Sequence, residues 1–412
     1  MTRRADVVII GSGPAGLGAA IVTAQAGLDT VVIDEYPQPG GRLLGQLHEE
    51  PGARPPTWWK GAEVASQMIA DARAAGADLL CGTDAWGIFP TEGGSGWRVC
   101  LSRAHVGTVV SDFVVIAAGA GERGLPLPGW ELPGVMTVGG AQVMANVHRV
   151  RPGRRAVVVG TDVLAFTIAR ELALAGVDVV GIVQPGPLAS LDRRPAPRKD
   201  AAALLGLAHL APTAWIRAVG PWLRRGPFPD LAARLYPKRG VTVWNIPVQL
   251  RRACIGIEGR DEVEGVILAD IDVHGKVVPG TEAPVAVDCV ALSGGLYPMV
   301  ELAASLGCET VYVEQLGGHV PLHGEDFATT APGVYVAGSI TGIEGATIAA
   351  AQGHAAGTAL AHQAGRLEGG RAALEEALAH VQEARSGTPF AFLPDIVSGR
   401  ERMQLLWEQR RG

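Results

Sequence analysis

The chain has 412 residues, enough for about two to three domains or one large α/β domain. Hydrophobic residues make up 48% and charged residues 18%, which excludes a disordered or linker protein. With 35 basic against 41 acidic residues, the net charge of −6 excludes the electrostatic footprint of a nucleic-acid binder.

Glycine is abundant at 56 residues without a G-X-Y period, so backbone must turn tightly and come close to something at many points. The five cysteines (Cys81, Cys100, Cys254, Cys289 and Cys308) are scattered and contain no C-x-x-C pair. That argues against a disulfide framework, an iron–sulfur site and a dithiol centre, and makes a reducing, cytoplasmic compartment the expectation. Thr2-Arg3-Arg4 has the outline of a twin-arginine signal, but Asp6 and the glycines at 11, 13, 16 and 18 break the apolar stretch behind it. No window of about 18 to 20 residues is apolar enough to span a membrane. The nearest, Ala346 to Leu360, is interrupted by Gln352 and His354.

In chain order, Asp6 to Ile10 reads as a buried parallel strand, followed by Gly11-Ser12-Gly13-Pro14-Ala15-Gly16 and a helix from Leu17 to Ala26. Thr30 to Ile33 is the next strand, closing on Asp34-Glu35. Gly11 and Asp34 lie 34 − 11 = 23 positions apart, near the ~20 of the dinucleotide fingerprint. Gly11 permits the tight turn, Gly13 lets backbone approach a pyrophosphate, and Gly16 lets helix and strand pack. The helix N-terminus then offers free N–H groups and a positive dipole end. Asp34 would accept from an adenosine ribose. A ligand-free glycine turn is the alternative. Gly40-Gly41-Arg42 follows, suited to close approach of a bulky planar cofactor or to an ordinary loop.

Phe113 to Ala118 is another apolar strand, ending in Ala118-Gly119. Pro126, Pro128, Pro133 and Gly134 mark a crossing between domains. A second βαβ unit runs through strand Ala156 to Val159, helix Asp162 to Ala175 and strand Val177 to Val183. Its loop, Gly160-Thr161-Asp162-Val163-Leu164-Ala165, departs from the fingerprint. Asp162 replaces the second glycine and would crowd and repel a pyrophosphate, and Gln184 stands where a ribose-binding acid is expected. The second domain therefore reads as keeping the fold with an impaired NAD(P) site.

Arg193 to Arg239, with Trp215 and Trp222 beside Arg217, Arg224 and Arg225, reads as a lid, a docking helix or a membrane-surface helix. Short strands follow at Val263 to Leu268, Val277-Val278 and Val287 to Leu292. A further strand ends at Gly338-Ser339. A glycine-rich turn then leads into a helix from Ala346 to Ala361, whose N-terminus, aimed back at the first domain, can stabilise electron density on a flavin ring. An Ala/Glu/Leu helix and a last helix from Glu401 to Arg410 make a tail. His319 and His323 are read as polar surface histidines, Cys289 as a buried inert thiol, and Trp58-Trp59 as channel lining or packing. No metal site is expected, and no catalytic residue emerges.

Taken together, the Gly11 to Gly16 loop with Asp34, the Ala117-Ala118-Gly119 strand end and Gly333 to Ser339 resemble the flavoproteins with two dinucleotide-binding domains, the pyridine-nucleotide-disulfide-oxidoreductase type. The resemblance covers roughly residues 4–365. Gln38-Pro39-Gly40-Gly41-Arg42 and Leu132 to Gln142 look like the alpha chain of amine and imino-acid dehydrogenase complexes. Members include opine oxidase, hydroxyproline and proline dehydrogenases, hydrogen cyanide synthase and heterotetrameric sarcosine oxidase. The resemblance implies an α/β fold of two Rossmann-like domains. The FAD domain would be discontinuous (1–125 and 287–365), an NAD-like domain would be inserted at 126–286, and a helical tail would occupy 366–412.

The resemblance further implies that Gly11, Gly13, Pro14, Ala15, Gly16, Asp34, Glu35, Gly41 and Arg42 hold FAD. Ala85, on the strand after the second helix, would meet the adenine. Ala118, Gly119, Gly338 and Ser339 would line the rest, with Ser339 standing where the family usually has an acid. Many relatives carry a [2Fe–2S] domain near the C-terminus. Here the last cysteine is Cys308, so no iron–sulfur cluster is expected on this chain. The expected function is relaying electrons for a partner flavoprotein subunit that oxidises a secondary amine or imino acid. A small iron–sulfur subunit would be a further partner. The alternatives are a stand-alone NAD(P)H-dependent flavin reductase, and a structural subunit binding a nucleotide such as ATP.

Overall fold

The computed structural model describes residues 2–49, 57–102, 105–188, 195–197, 200, 236–237, 240–388 and 391–411. The tryptophans and arginines singled out between 215 and 225 lie outside the described residues. The chain divides into two compact units: Met1–Gln46, Lys60–Gly121 and Leu296–Gly412 in the first, Leu47–Trp59 and Glu122–Gly295 in the second. The 366–412 tail thus belongs to the first unit, and residues 47–59 to the second.

In the first unit, β1 (Thr2–Ile10), α1 (Pro14–Gln25) and β2 (Thr30–Asp34) form the leading βαβ. α2 (Gly61–Ala74) leads to β3 (Asp78–Cys81), β4 (Asp84–Pro90), β5 (Trp97–Ser102) and β6 (Thr108–Ile116). The sheet order is β3-β2-β1-β6-β5-β4. β3, β2, β1 and β6 run parallel, with Ile9 opposite both Val32 and Val115, whereas β4 and β5 are antiparallel. Val7, Val8 and Ile9 are fully buried, the pattern of a parallel strand covered on both faces.

The second unit repeats the scheme. β7 (Val135–Thr137), α3 (Val138–Gln142), β8 (Arg155–Val159), α4 (Val163–Leu174) and β9 (Asp178–Pro185) come first. β10 (Ile246–Glu258), β11 (Gly265–Asp270), β12 (Ala283–Ala286) and β13 (Cys289–Leu292) complete it in the order β7-β13-β8-β9-β10-β11-β12. Val277-Val278, expected as a strand, follows a turn across which Val277 makes one isolated bridge to Ile271. Gly275 at φ +80 closes that turn too tightly for a ladder.

The chain then returns to the first unit. β14 (Val334–Val336) adds to β6 and stops before Gly338, which opens a 3₁₀ turn through Thr341. α5 (Ala346–Gln363), α6 (Gly370–Gly387) and α7 (Ile396–Arg411) follow. α7 begins five residues before the expected Glu401, because Ile396 and Met403 on its first turns are buried with Leu316, Val320 and Leu322. α5 lies almost in backbone contact with α1. A Cβ at Gly353 would fall 1.9 Å from the Ala15 carbonyl oxygen, and one at Gly18 would fall 2.6 Å from that of Ala350. No helix among the described residues is long and apolar enough to cross a membrane.

Candidate functional site

The first phosphate loop is shaped by what its glycines exclude. Gly11 leaves β1 at φ +100, and a Cβ there would lie 2.4 Å from the Ala117 carbonyl oxygen. A Cβ at Gly16 would lie 1.7 Å from the Gly11 carbonyl oxygen, so both positions require glycine to let the strand, the loop and α1 meet. Gly13 differs: a Cβ there would meet nothing within 4 Å. It is the N-cap of α1, no side chain caps it, and Pro14 pre-sets the first turn. An uncapped helix N-terminus with an open face beside it suits a phosphate group.

Other predicted residues converge on this loop. Gly41, at φ +54, would put a Cβ 2.9 Å from the Cα of Gly13, and Gly338, at φ +81, would put one 2.8 Å from the Ala15 Cβ. Ala118 and Gly119 continue from Ala117, whose amide donates to the Ile10 carbonyl (2.8 Å) beside Gly11. Gly119 faces open space. Asp34 ends β2 and is tied to the loop: Oδ2 accepts from the Ser12 amide and hydroxyl (2.6 Å each), and Oδ1 accepts from the Tyr36 amide (2.8 Å). Three donors leave roughly one of a carboxylate's four acceptor positions for a ribose hydroxyl. Glu35 is exposed, and Arg42 donates from Nη2 to the Ala120 carbonyl (2.9 Å). Ser339 lies half-buried after Gly338. Ala85 is not on the strand directly after α2, which is β3, but on the antiparallel β4. The tight link Gly82-Thr83, whose amides donate to the Tyr36 and Asp34 carbonyls, brings that strand's start to the end of β2.

Several site residues carried no sequence signal. Gln352, read only as a polar break in an apolar stretch, is 1% exposed. Its Oε1 accepts from the Gly338 amide (2.8 Å) and from Thr341 Oγ1 (3.1 Å), and its Nε2 donates to Glu344 Oε2 (2.7 Å). Glu344 in turn accepts from Arg385 Nε (3.0 Å) and Arg400 Nη2 (2.5 Å), and Arg400 Nη1 donates to the Thr341 carbonyl (2.7 Å). α6 and α7 thereby brace the Gly338–Thr341 turn. Burial pushes the Glu344 carboxyl up, but the two guanidiniums outweigh it and hold it below the usual range. Arg385 and Arg400 also line a cavity of about 930 Å³ at the start of α5. His323 lines it too. It is buried rather than on the surface, because its Nδ1 pairs with the Pro321 carbonyl (2.7 Å) and its ring stacks on Phe327. Burial, with Arg400 nearby, pulls its pKa down to about 4.

The second phosphate loop is built differently. Asp162 is the N-cap of α4, and its Oδ1 accepts from the Ala165 amide (2.9 Å), a donor a pyrophosphate would need. Both carboxylate oxygens also accept from Ser293 Oγ (2.9 and 2.8 Å). Gln184, 1% exposed, is turned inward to Asp200 and the Ala196 amide. The Leu132–Gln142 motif likewise has local work. Glu122 accepts from Thr137 Oγ1 (2.6 Å) and the Gly139 amide (2.9 Å), and a Cβ at Gly139 would strike that carboxylate at 2.4 Å. Trp58 packs under Arg170, and Trp59 stacks on His48. All five cysteines are free, and burial raises the Cys289 thiol to about 11. Among the described residues no cluster of His, Cys, Asp and Glu is arranged to hold a metal.

Residues 5–201 match the pyridine nucleotide-disulphide oxidoreductase family. The opine oxidase A subunit of Rhizobium meliloti (strain 1021) is 30% identical over 88% of this chain and 72% of its own length. Its counterpart in Agrobacterium tumefaciens (strain Ach5) is 29% identical over 86% of this chain, which spans 65% of that relative. The HcnB subunit of hydrogen cyanide synthase from Pseudomonas protegens is 25% identical over 87% of this chain and 71% of its own length. Two solved structures share the fold. L-proline dehydrogenase from P. horikoshii has a TM-score of 0.64 at 21% identity, covering 92% of this chain and 60% of that one. Thioredoxin reductase from T. acidophilum has a TM-score of 0.60 at 20% identity, covering 88% and 99%. The glycine loop on an uncapped helix, in a chain with a second Rossmann-like unit, agrees with these matches, and the chain belongs to the pyridine nucleotide-disulphide oxidoreductase family of flavoproteins, among the relatives of the opine oxidase A subunit.

Proposed function

We propose that the chain is an FAD-binding subunit that relays electrons in a complex oxidising secondary amines or imino acids, such as an opine, sarcosine, proline or hydroxyproline. The observation that carries the reading is the contrast between the two phosphate loops. α1 presents an uncapped N-terminus beside the open Gly13, whereas Asp162 covers the N-terminus of α4 with a carboxylate. One working dinucleotide site without a second suits a chain that receives electrons from a partner protein rather than from NAD(P)H.

In this reading the residues of the first unit hold FAD, which supplies the redox chemistry when bound. The α1 N-terminus takes the pyrophosphate with backbone amides, Gly13 and Gly41 admit it, and Asp34 takes a ribose hydroxyl. Gly338 and Ser339 reach the ribityl region, and the Gln352–Glu344–Arg400 bracing fixes that turn's geometry in advance. Glu35, Arg42, Ala85, Ala118 and Gly119 complete the wall. The amine is oxidised on a partner flavoprotein subunit in the cytoplasm, and a small iron–sulfur subunit takes part. Purification from the native source, with co-purifying chains and extracted cofactors identified by mass spectrometry, tests this. The expected result is bound FAD plus at least one further flavoprotein chain. A lone protein whose flavin is bleached at once by NADH would overturn it.

A further inference from the structure

A second built site lies in the other unit, toward the C-terminal end of α4. Glu171 on α4 is only 4% exposed. Its Oε2 accepts from Gln142 Nε2 (2.9 Å) on α3 and from Asn146 Nδ2 (2.7 Å), and the Leu47 amide is its third donor. Every one of these partners is neutral. A carboxylate buried without a cation is held at a cost, and here burial pushes its pKa up to about 7.

Glu171 lines a cavity of about 360 Å³, the size of a small-molecule site. Leu47, Ala145, Val150 and Leu174 supply apolar wall, and Arg149 and Arg151 supply positive charge. Both arginines are exposed, and among the described residues neither has an acidic partner. The backbone that carries them is irregular. Val143–Val147 is wound as a π turn, and Arg149 sits at φ +57, a conformation that costs a non-glycine residue energy. The cavity thus joins one buried acid lacking a cation to two cations lacking an acid, with apolar wall between.

We propose that this cavity binds a small amino acid, its ammonium at Glu171 and its carboxylate at Arg149 and Arg151. Two guanidiniums against one acid favour a ligand with two carboxylates flanking its amine. The site is independent of FAD and of the electron-relay reading, so binding is measured without turnover and either idea can fail alone.

Isothermal titration of the full chain with iminodiacetate, glycine, propionate and propylamine tests it. Iminodiacetate is expected to bind tightest, glycine about tenfold weaker, and the two single-charge probes weaker by about a further tenfold, one charged contact being lost at each step. Arg149→Gly suits the left-handed backbone and removes one guanidinium. It should weaken iminodiacetate about tenfold with no loss of thermal stability. Glu171→Gln should shrink the preference for iminodiacetate over propionate from about a hundredfold to about tenfold, the second carboxylate alone remaining to distinguish them, and if that variant does not fold, Arg149→Gly decides. The proposal is overturned if iminodiacetate gives no saturable binding up to about 20 mM, if propionate matches it in the wild type, or if Arg149→Gly binds it unchanged.

Discussion

Asp162 offers the sharpest test of why the second loop would refuse a nucleotide, because two substitutions separate its charge from its hydrogen bond. Asp162→Asn keeps an N-cap of equal rank on the Ala165 amide and removes the charge. Asp162→Gly removes both and leaves the α4 N-terminus as open as that of α1. Losing the cap to glycine costs a few tenths of a kcal/mol, and losing the Ser293 hydroxyl's bond to a charged acceptor costs about 1.5–3 kcal/mol. The glycine variant should therefore be about 2–3 kcal/mol less stable and still folded. A carboxylate about 4 Å from a phosphate oxygen repels it by ~4 kcal/mol at the effective dielectric of a protein surface, about a thousandfold in affinity. Titration of NADH into each variant should show negligible binding in the wild type, a modest gain in Asp162→Asn, whose amide still occupies the helix terminus, and the full gain in Asp162→Gly. A folded Asp162→Gly chain that remains blind to NADH refutes the reasoning. Equal gains in the two variants would show that charge alone, not the occupied amide, closes the loop.

Other outcomes follow from the same geometry. Gly353→Ala drives a methyl to 1.9 Å from the Ala15 carbonyl oxygen, so α1 and α5 must separate; a loss of several kcal/mol by urea unfolding is expected, and a change under about 0.5 kcal/mol would contradict the backbone contact. Glu171→Gln should alter the pH dependence of stability. The folded carboxyl titrates near 7 against 4.5 in the open chain and faces only neutral donors, so the folded state holds the proton more tightly. The wild type loses stability relative to the variant as pH rises from about 4.5 to 7, by at most about 3 kcal/mol; parallel urea curves for the two proteins at pH 5 and 8 would contradict it. Asp34→Ala orphans the Ser12 and Tyr36 amides, with an expected loss of about 2–3 kcal/mol and of most bound flavin. Flavin absorbance per chain after gel filtration is the measure.

What the sequence determined by itself is the local geometry of both βαβ units. Gly11, Gly13, Gly16 and Asp34 are legible because each answers a constraint set within a few residues of itself: a turn at positive φ, a strand crossing a helix start, an acid closing a strand. Asp162 was legible as a departure for the same reason, although its role as the cap of α4, held by Ser293 131 residues away, was not. Only the tertiary structure decided what braces the site. Gln352 meets Gly338 across 14 residues and Arg400 meets Thr341 across 59, and neither pair lies within one helix or strand. His323 reads as a polar surface residue until the Phe327 ring and the Pro321 carbonyl enclose it. The tail reads as an appendage until Ile396 and Met403 bury against Leu316 and Leu322. Burial and long-range pairing are properties of the packed chain, so residues whose work depends on them cannot announce it in the one-dimensional pattern.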